Sequence, residues 1–151
     1  MTQIRLATRT DFSDIIELLS GYFDESVYGS HVKELPDPQR CSQILFQLMH
    51  QGRIWLAYRD CELLGVLAVI REPNLWFPNK ISLREVIWYV KPEARQGQAA
   101  GRLFLSYKLW AEQLLELGQI EAYFMTEMAT TDSLNLQRRG FRLAENLYIK
   151  D

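Results

Sequence analysis

The segment RQGQAAGR, residues 95–102, carries residue types that could hold an anion where a helix begins. The first turn of a helix presents backbone N–H groups without intrahelical acceptors, together with a partial positive charge. Arg95 and Arg102 can add charge-assisted hydrogen bonds. Small side chains let an anion approach closely, and the segment supplies Gly97, Ala99, Ala100 and Gly101. These features favour a diphosphate site, although the same small residues would also suit a tight turn and close helix packing.

Two other kinds of site are not indicated by the spacing of residues. RQGQAAGR is neither a P-loop, which needs GKS or GKT, nor the GxGxxG dinucleotide fingerprint. Cys41 and Cys61 are far apart, and His31 and His50 do not complete a metal-binding spacing with them. We therefore expect no metal site and two reduced thiols.

The segment must be positioned by the elements on either side of it. ISLREVIWYV, residues 81–90, is typical of a strand. The stretch after the segment is typical of a helix, because apolar residues recur at spacings of three and four: Ala100, Leu103, Tyr107, Trp110, Ala111 and Leu114. Gly118 is placed to end that helix.

The remaining patterns predict an α/β (α+β) fold in a single domain, residues 1–151. We expect strands at residues 3–8, 53–60, 63–72, 81–90 and 119–128, and a final strand or hairpin at residues 141–150. We expect helices at residues 8–23, 37–52, 100–117 and 131–140. This order predicts a mixed, mostly antiparallel sheet of six to seven strands with helices on both faces. The unit around RQGQAAGR should be its one parallel, right-handed β-α-β crossover.

Composition and charge narrow the class of protein. The 151 residues are 48% hydrophobic and 24% charged, as in a globular protein with a full core. The net charge of −2 argues against an extended nucleic-acid interface. No apolar run reaches the roughly 18 residues of a membrane span, and MTQIRLATRTDF lacks the apolar stretch of a signal peptide. We expect a cytoplasmic protein.

The stretch WYVKPEARQGQAAGRL, residues 88–103, resembles the cofactor-binding segment of GNAT N-acetyltransferases. It is most similar to a small branch found in phage and prophage genomes, which also carries a Trp-Ala pair in the helix, here Trp110-Ala111. LQRRGF, residues 136–141, resembles the family's closing signature, and the predicted order of elements matches the family's fold. The resemblance therefore covers the whole chain, and for a phage product it would imply the host cytoplasm.

The resemblance implies acetyl-CoA as the cofactor. The pantetheine arm would lie along Trp88, Tyr89 and Val90, where two strands splay apart, and the diphosphate would meet the amides of residues 96–101 between Arg95 and Arg102. The implied contacts in this loop are Gln96, Gly97, Gln98, Ala99, Ala100 and Gly101. The loop has one glycine fewer than the family motif: Gln98 or Ala99, depending on the alignment, stands at the first motif glycine.

The resemblance also implies catalytic roles. Glu85 stands where the family often places a carboxylate that deprotonates the amine, and the Val90 N–H would donate to the thioester oxygen. Burial beside apolar neighbours would raise the pKa of Glu85, whereas a pairing with Arg84 on a solvated face is the alternative. The family's usual acid, a tyrosine, is replaced here by Leu136. Other proton donors to the thiolate would be water or one of Tyr107, Tyr123 and Tyr148.

The acceptor would be met by the first two helices, the loop between them and the loop at Trp76-Phe77. Carboxylates and aromatic faces there suit a cationic amine or a peptide end: Tyr22, Asp24, Glu25, Tyr28 and Trp76. The alternative is a solvated loop whose aromatic rings pack on the core. Trp76 and Phe77 could also serve a homodimer.

Two functions remain open from the sequence. One is an N-acetyltransferase that moves an acetyl group from acetyl-CoA to a primary amine of a small molecule, a protein lysine or a protein N-terminus. The other is a catalytically weak protein of the same fold, such as a phage product that acts by contacting a host protein. Leu136 and the missing glycine favour the second function, whereas Glu85, Arg95 and the small residues favour the first.

Overall fold

A computed structural model describes residues 1–26, 36–127, 135–148 and 150. The described residues form one five-stranded sheet, whose strands lie side by side in the order in which they occur in the sequence. The strands are β1 (Thr2–Leu6), β2 (Gly52–Arg59), β3 (Glu62–Pro73), β4 (Ile81–Val90) and β5 (Ala122–Phe124). The first four pair antiparallel, and β5 pairs parallel to β4. The mixed, mostly antiparallel sheet with one parallel crossover is confirmed.

Three α-helices cover the two faces of this sheet within the described residues. They are α1 (Phe12–Glu25), α2 (Pro38–Gln51) and α3 (Ala99–Glu116). Helices α1 and α2 share one apolar cluster with the sheet, and α3 shares the other. Because β3 contributes to both clusters, it is apolar along most of its length rather than alternating.

The helix ends follow local rules that the sequence shows. Pro38 occupies the first turn of α2, where the side chain of Asp37 accepts the Arg40 N–H at 3.2 Å. Helix α3 stops before Gly118, whose φ of 67° is easy for glycine. The N–H groups of Gly118 and Gln119 then bind the carbonyls of Leu115 and Leu114. In the described ranges, no helix is both long and apolar enough to cross a bilayer.

The expected count of six to seven strands is wrong for the described chain, which has five. The strand expected at residues 119–128 is only Ala122–Phe124, since the Thr126 N–H donates to the side chain of Glu85 and not to the β4 backbone. No strand forms in residues 141–148, where Phe141 packs on Phe104 and Tyr123. The helix expected at 131–140 is, in its described part, a 3-10 turn at Leu136–Arg139.

Candidate functional site

Strand β5 pairs with only the first part of β4, and the pairing stops after Phe124. Their register runs from Ser82↔Ala122 to Arg84↔Phe124, and no further pair follows in the described residues. We call the edge of β4 at residues 85–90, which has no strand partner on the β5 side in the described residues, the fork. No strand of the described chain pairs with this edge beyond Arg84, so its backbone groups are placed where a ligand could pair with them.

The closed end of the fork is occupied by Glu85. Its side chain is buried, and its Oε2 accepts hydrogen bonds from both the N–H and the hydroxyl of Thr126. Burial raises the pKa of Glu85, which the hydrogen bonds from Thr126 only partly oppose. Arg84 pairs instead with Glu72 on the outer face, at 2.8 Å. The structure thus places Glu85 inside the fold, as a carboxyl group that holds its proton more tightly than usual.

A bulge in β4 follows Glu85 directly. Opposite β3, Ala68 pairs with Ile87 and Val69 with Glu85, so Val86 has no partner of its own. The bulge puts both Val86 and Ile87 against the α1–α2 cluster.

The backbone of β4 beyond the bulge offers hydrogen-bonding groups to the fork. The Lys91 N–H binds the Leu64 carbonyl, so the neighbouring pair Val90↔Gly65 is a non-hydrogen-bonded pair of the antiparallel ladder. The N–H and C=O of Val90 therefore point away from β3, towards the fork, and by the same alternation so do those of Trp88. The indole N–H of Trp88 is also buried without an acceptor in the described part.

The mouth of the fork lies beside the start of α3. Residues 95–98 are exposed, and Gln98 makes no side-chain hydrogen bond that would cap the helix. The first amides of α3 are thus left for a ligand or for water.

The small residues at this helix start are small for different reasons. Ala99 is buried in the core, and a Cβ on Gly97 would lie 3.2 Å from the Ala94 carbonyl oxygen. At Gly101, by contrast, a Cβ would meet no atom within 4 Å. Packing and a tight turn explain the first two residues and leave Gly101 unexplained.

The two flanking arginines point in different directions. Arg95 Nε donates to the Val90 carbonyl at 2.9 Å, and its Nη2 lies 2.5 Å from Glu25 Oε2. Arg102 donates instead to the Thr2 carbonyl of β1. Arg95 therefore belongs to the mouth of the fork, whereas Arg102 holds α3 to the edge of the sheet.

The C-terminal end of α1 packs against this mouth. The Tyr89 hydroxyl donates to Glu25 Oε1 at 3.2 Å, and the ring of Tyr22 meets the ring of Tyr89 edge-on. A Cβ on Gly21 would lie 2.4 Å from the Tyr89 hydroxyl oxygen, so the glycine leaves space for the Tyr89 hydroxyl against α1. Asp24 is exposed on the same turn.

Of the two other residues predicted to contact the acceptor, Trp76 does not lie at the mouth of the fork. Tyr28 lies outside the described residues. Trp76 is 81% exposed in the turn before β4, and the length of β4 puts that turn roughly 30 Å from the mouth of the fork. Its backbone N–H donates to Asn74 Oδ1 at 2.9 Å.

The candidate proton donors are distributed across the fold. The Tyr107 hydroxyl is buried, donates to the Phe124 carbonyl at 3.0 Å, and has its pKa raised by burial. The Tyr123 hydroxyl donates to Glu112, and Tyr148 is exposed. Leu136 is half-buried in its 3-10 turn and has no proton to give.

Residues that the sequence did not single out also shape the site. Thr126 fixes the carboxyl group of Glu85, and Gly21 admits Tyr89. Neither residue belongs to a motif, and each acts on a partner far along the chain, so no local signal announces it. No cluster of side chains suited to a metal ion occurs among the described residues.

Comparison with solved structures identifies the fold. A GNAT family acetyltransferase from Staphylococcus aureus is 13% identical, with a TM-score of 0.66 over 99% of this chain and 98% of that one. A predicted acetyltransferase with acetyl-CoA from Clostridium acetobutylicum is 12% identical, with a TM-score of 0.64 over 100% and 96%. A transcriptional regulator from Bacillus halodurans is 18% identical, with a TM-score of 0.68 over 100% of both chains. The chain therefore has a GNAT-like fold.

Comparisons at the level of sequence gave no match. No protein-family model matches the chain, and no curated protein matches it.

Proposed function

We propose that this protein is an N-acetyltransferase that transfers an acetyl group from acetyl-CoA to a primary amine of a small molecule or a protein. The observation that carries the proposal is the fork, with a buried carboxyl group at its closed end and an uncapped helix start at its mouth. Two solved structures with a similar fold, from Trypanosoma brucei and Staphylococcus aureus, are acetyltransferases, which supports acyl transfer as the class of reaction.

The chain's own groups would bind such a cofactor in two places. The Gly97 N–H already donates to the Ala94 carbonyl, so the other amides of residues 96–101 would hold the diphosphate at the start of α3, where Gly101 leaves space. The outward-facing N–H and C=O of Trp88 would pair with the amides of the pantetheine arm, since the Val90 carbonyl already accepts from Arg95 Nε. Acetyl-CoA, when bound, supplies the acetyl thioester. The Val90 N–H is placed to donate to the thioester oxygen and to favour charge developing there.

Glu85 would then act as the base. A carboxylate whose pKa is raised by burial is a better proton acceptor for an ammonium group than an ordinary carboxylate. Thr126 keeps the carboxyl group in one orientation through its N–H and hydroxyl. The leaving thiolate would take its proton from water, because Leu136 cannot supply one.

The acceptor would approach the acidic end of α1. Asp24 and Glu25 give this end a negative charge, and Tyr22 and Tyr89 line it with aromatic rings. This chemistry fits an amine that carries a positive charge.

The test combines binding with turnover. In thermal unfolding, acetyl-CoA at 100 times its dissociation constant should add about 2.7 kcal/mol of stability. CoA release with a panel of amines then measures transfer. An unchanged melting temperature at millimolar acetyl-CoA would remove the proposal.

The second candidate function is a binding protein with weak or no catalysis, which would contact a host protein if the chain is phage-encoded. The observation in its favour is Leu136, which stands at the position of the family's usual tyrosine. Stabilisation by acetyl-CoA without CoA release on any amine would favour this candidate.

A further inference from the structure

Arg95 connects the two halves of the proposed site. Its guanidinium reaches Val90, at the cofactor side, and Glu25, at the acceptor side, although Glu25 lies 70 positions earlier in the chain. The same guanidinium lies 5.5 Å from the centre of the Tyr89 ring, and the Tyr89 hydroxyl donates to the other oxygen of Glu25. Arg95 thus makes three contacts, with Val90, Glu25 and Tyr89, and the contact with Glu25 joins it to the end of α1.

The charge at the end of α1 explains why a cation is held there. The C-terminal end of a helix carries a partial negative charge, which disfavours carboxylates. Nevertheless the last turn of α1 contains Asp24 and Glu25 and no basic residue. The Arg95 guanidinium offsets this accumulation of negative charge from outside the helix.

The same guanidinium is also within the segment that would hold a diphosphate. Arg95 is followed directly by residues 96–98, which are exposed before the start of α3. The ion pair with Glu25 is itself partly exposed, with side-chain exposures of 40% and 34%, so water and anions can reach it. A diphosphate at the helix start would compete with the carboxylate of Glu25 for Arg95, because phosphate and carboxylate use the same donors of the guanidinium.

We propose that Glu25 is a positioning residue that pairs with Arg95 while no cofactor is bound, and that cofactor binding exchanges the Glu25–Arg95 ion pair for an Arg95–diphosphate contact. This inference rests on the proposed function, since it requires a cofactor with a diphosphate. Glu25 would then weaken the binding of the cofactor, and cofactor binding would change the contacts at the end of α1.

The test is the affinity for acetyl-CoA, measured by calorimetry on the whole chain with Glu25→Gln, Arg95→Gln and the double variant. Glu25→Gln should bind acetyl-CoA about two- to fivefold more tightly than the unchanged protein, the range expected for a partly exposed ion pair. Damage to the fold would weaken binding, so a gain in affinity cannot come from lost structure. Arg95→Gln should weaken binding, and adding Glu25→Gln to it should change nothing further.

Glu17→Gln is the matched control, since it removes the same charge from an exposed position two turns earlier in α1. It should leave the affinity unchanged. If Arg95→Gln abolishes binding of acetyl-CoA, the inference is decided by comparing the affinity of Glu25→Gln with that of Glu17→Gln.

Three results would overturn the inference. An affinity of Glu25→Gln equal to or weaker than that of the unchanged protein would show that the ion pair does not oppose the cofactor. Equal tightening in the Arg95→Gln background, or by Glu17→Gln, would assign the effect to general charge. Absence of acetyl-CoA binding by the unchanged protein would remove the proposed function together with this inference.

Discussion

Replacing Gly101 by alanine should stabilise the free protein and weaken its binding of acetyl-CoA. Gly101 is the third residue of α3, and a Cβ there would meet no atom within 4 Å. Alanine is favoured over glycine in a helix by about 0.5–1 kcal/mol, because the unfolded chain loses less freedom. For a chain of this size the melting temperature should rise by about 1–4 °C.

The cofactor should respond in the opposite direction. If the Gly101 amide lies against a diphosphate, a methyl group occupies the space that the anion needs. We expect acetyl-CoA binding to weaken at least about tenfold, which corresponds to about 1.4 kcal/mol. Thermal unfolding without ligand and calorimetric titration with acetyl-CoA measure the two effects separately.

Gly118→Ala is the control at the other end of the same helix. Its φ of 67° disfavours alanine, so the free protein should lose about 1–2 kcal/mol of stability while acetyl-CoA binding stays unchanged. Unaltered acetyl-CoA affinity in Gly101→Ala would refute the placement of the diphosphate at the start of α3. A loss of stability in Gly101→Ala without ligand would refute the conclusion that a methyl group has space at position 101.

Three further predictions concern the closed end and the mouth of the fork. Glu85→Gln should lower kcat/KM by about a hundredfold or more, because it removes the base. The dissociation constant of acetyl-CoA should stay within about twofold, because glutamine keeps the shape of the side chain. An unchanged kcat/KM would mean that Glu85 is not the base. The raised pKa of Glu85 means that the folded state binds its proton more tightly than the unfolded state, so this residue's contribution to stability falls as pH rises above 4.5. The melting temperature of Glu85→Gln minus that of the unchanged protein should therefore increase with pH, and a difference independent of pH would contradict the raised pKa. Gly21→Ala should cost about 1–3 kcal/mol, because its methyl group would lie 2.4 Å from the Tyr89 hydroxyl; chemical unfolding with no loss of stability would show that Tyr89 moves freely.

Much of the local structure could be predicted from the sequence, because it depends on neighbours in the chain. Residues 81–90 form a strand with the predicted bounds, and α2 ends beside Gly52 as expected. The 3-4 spacing of apolar residues in α3 places Leu103, Tyr107 and Ala111 in the core. The choice of Gly118 as the end of α3 follows from a backbone angle that few other residues tolerate.

The length of β5 could not be predicted, because a strand is defined by its partner. The sequence from residue 119 to 128 is suited to a longer strand, but the ladder stops after Phe124. The reason is a side chain 41 positions away from Thr126: the carboxyl group of Glu85 takes the hydrogen bonds at that point. Residues 141–148 likewise have a strand-like composition but form no strand, because a strand needs a partner and no local pattern encodes one.

The sequence by itself determined that an anion-compatible loop lies between a strand and a helix, and that a glutamate precedes it on the strand. Only the tertiary structure decided what those residues face. It buried Glu85 against Thr126, turned Arg102 towards β1, and brought Arg95 to Glu25 across 70 positions of chain. Residue types and short spacings specify hydrogen-bonding capacity and local conformation, whereas the partner of a side chain depends on how the sheet and the helices pack.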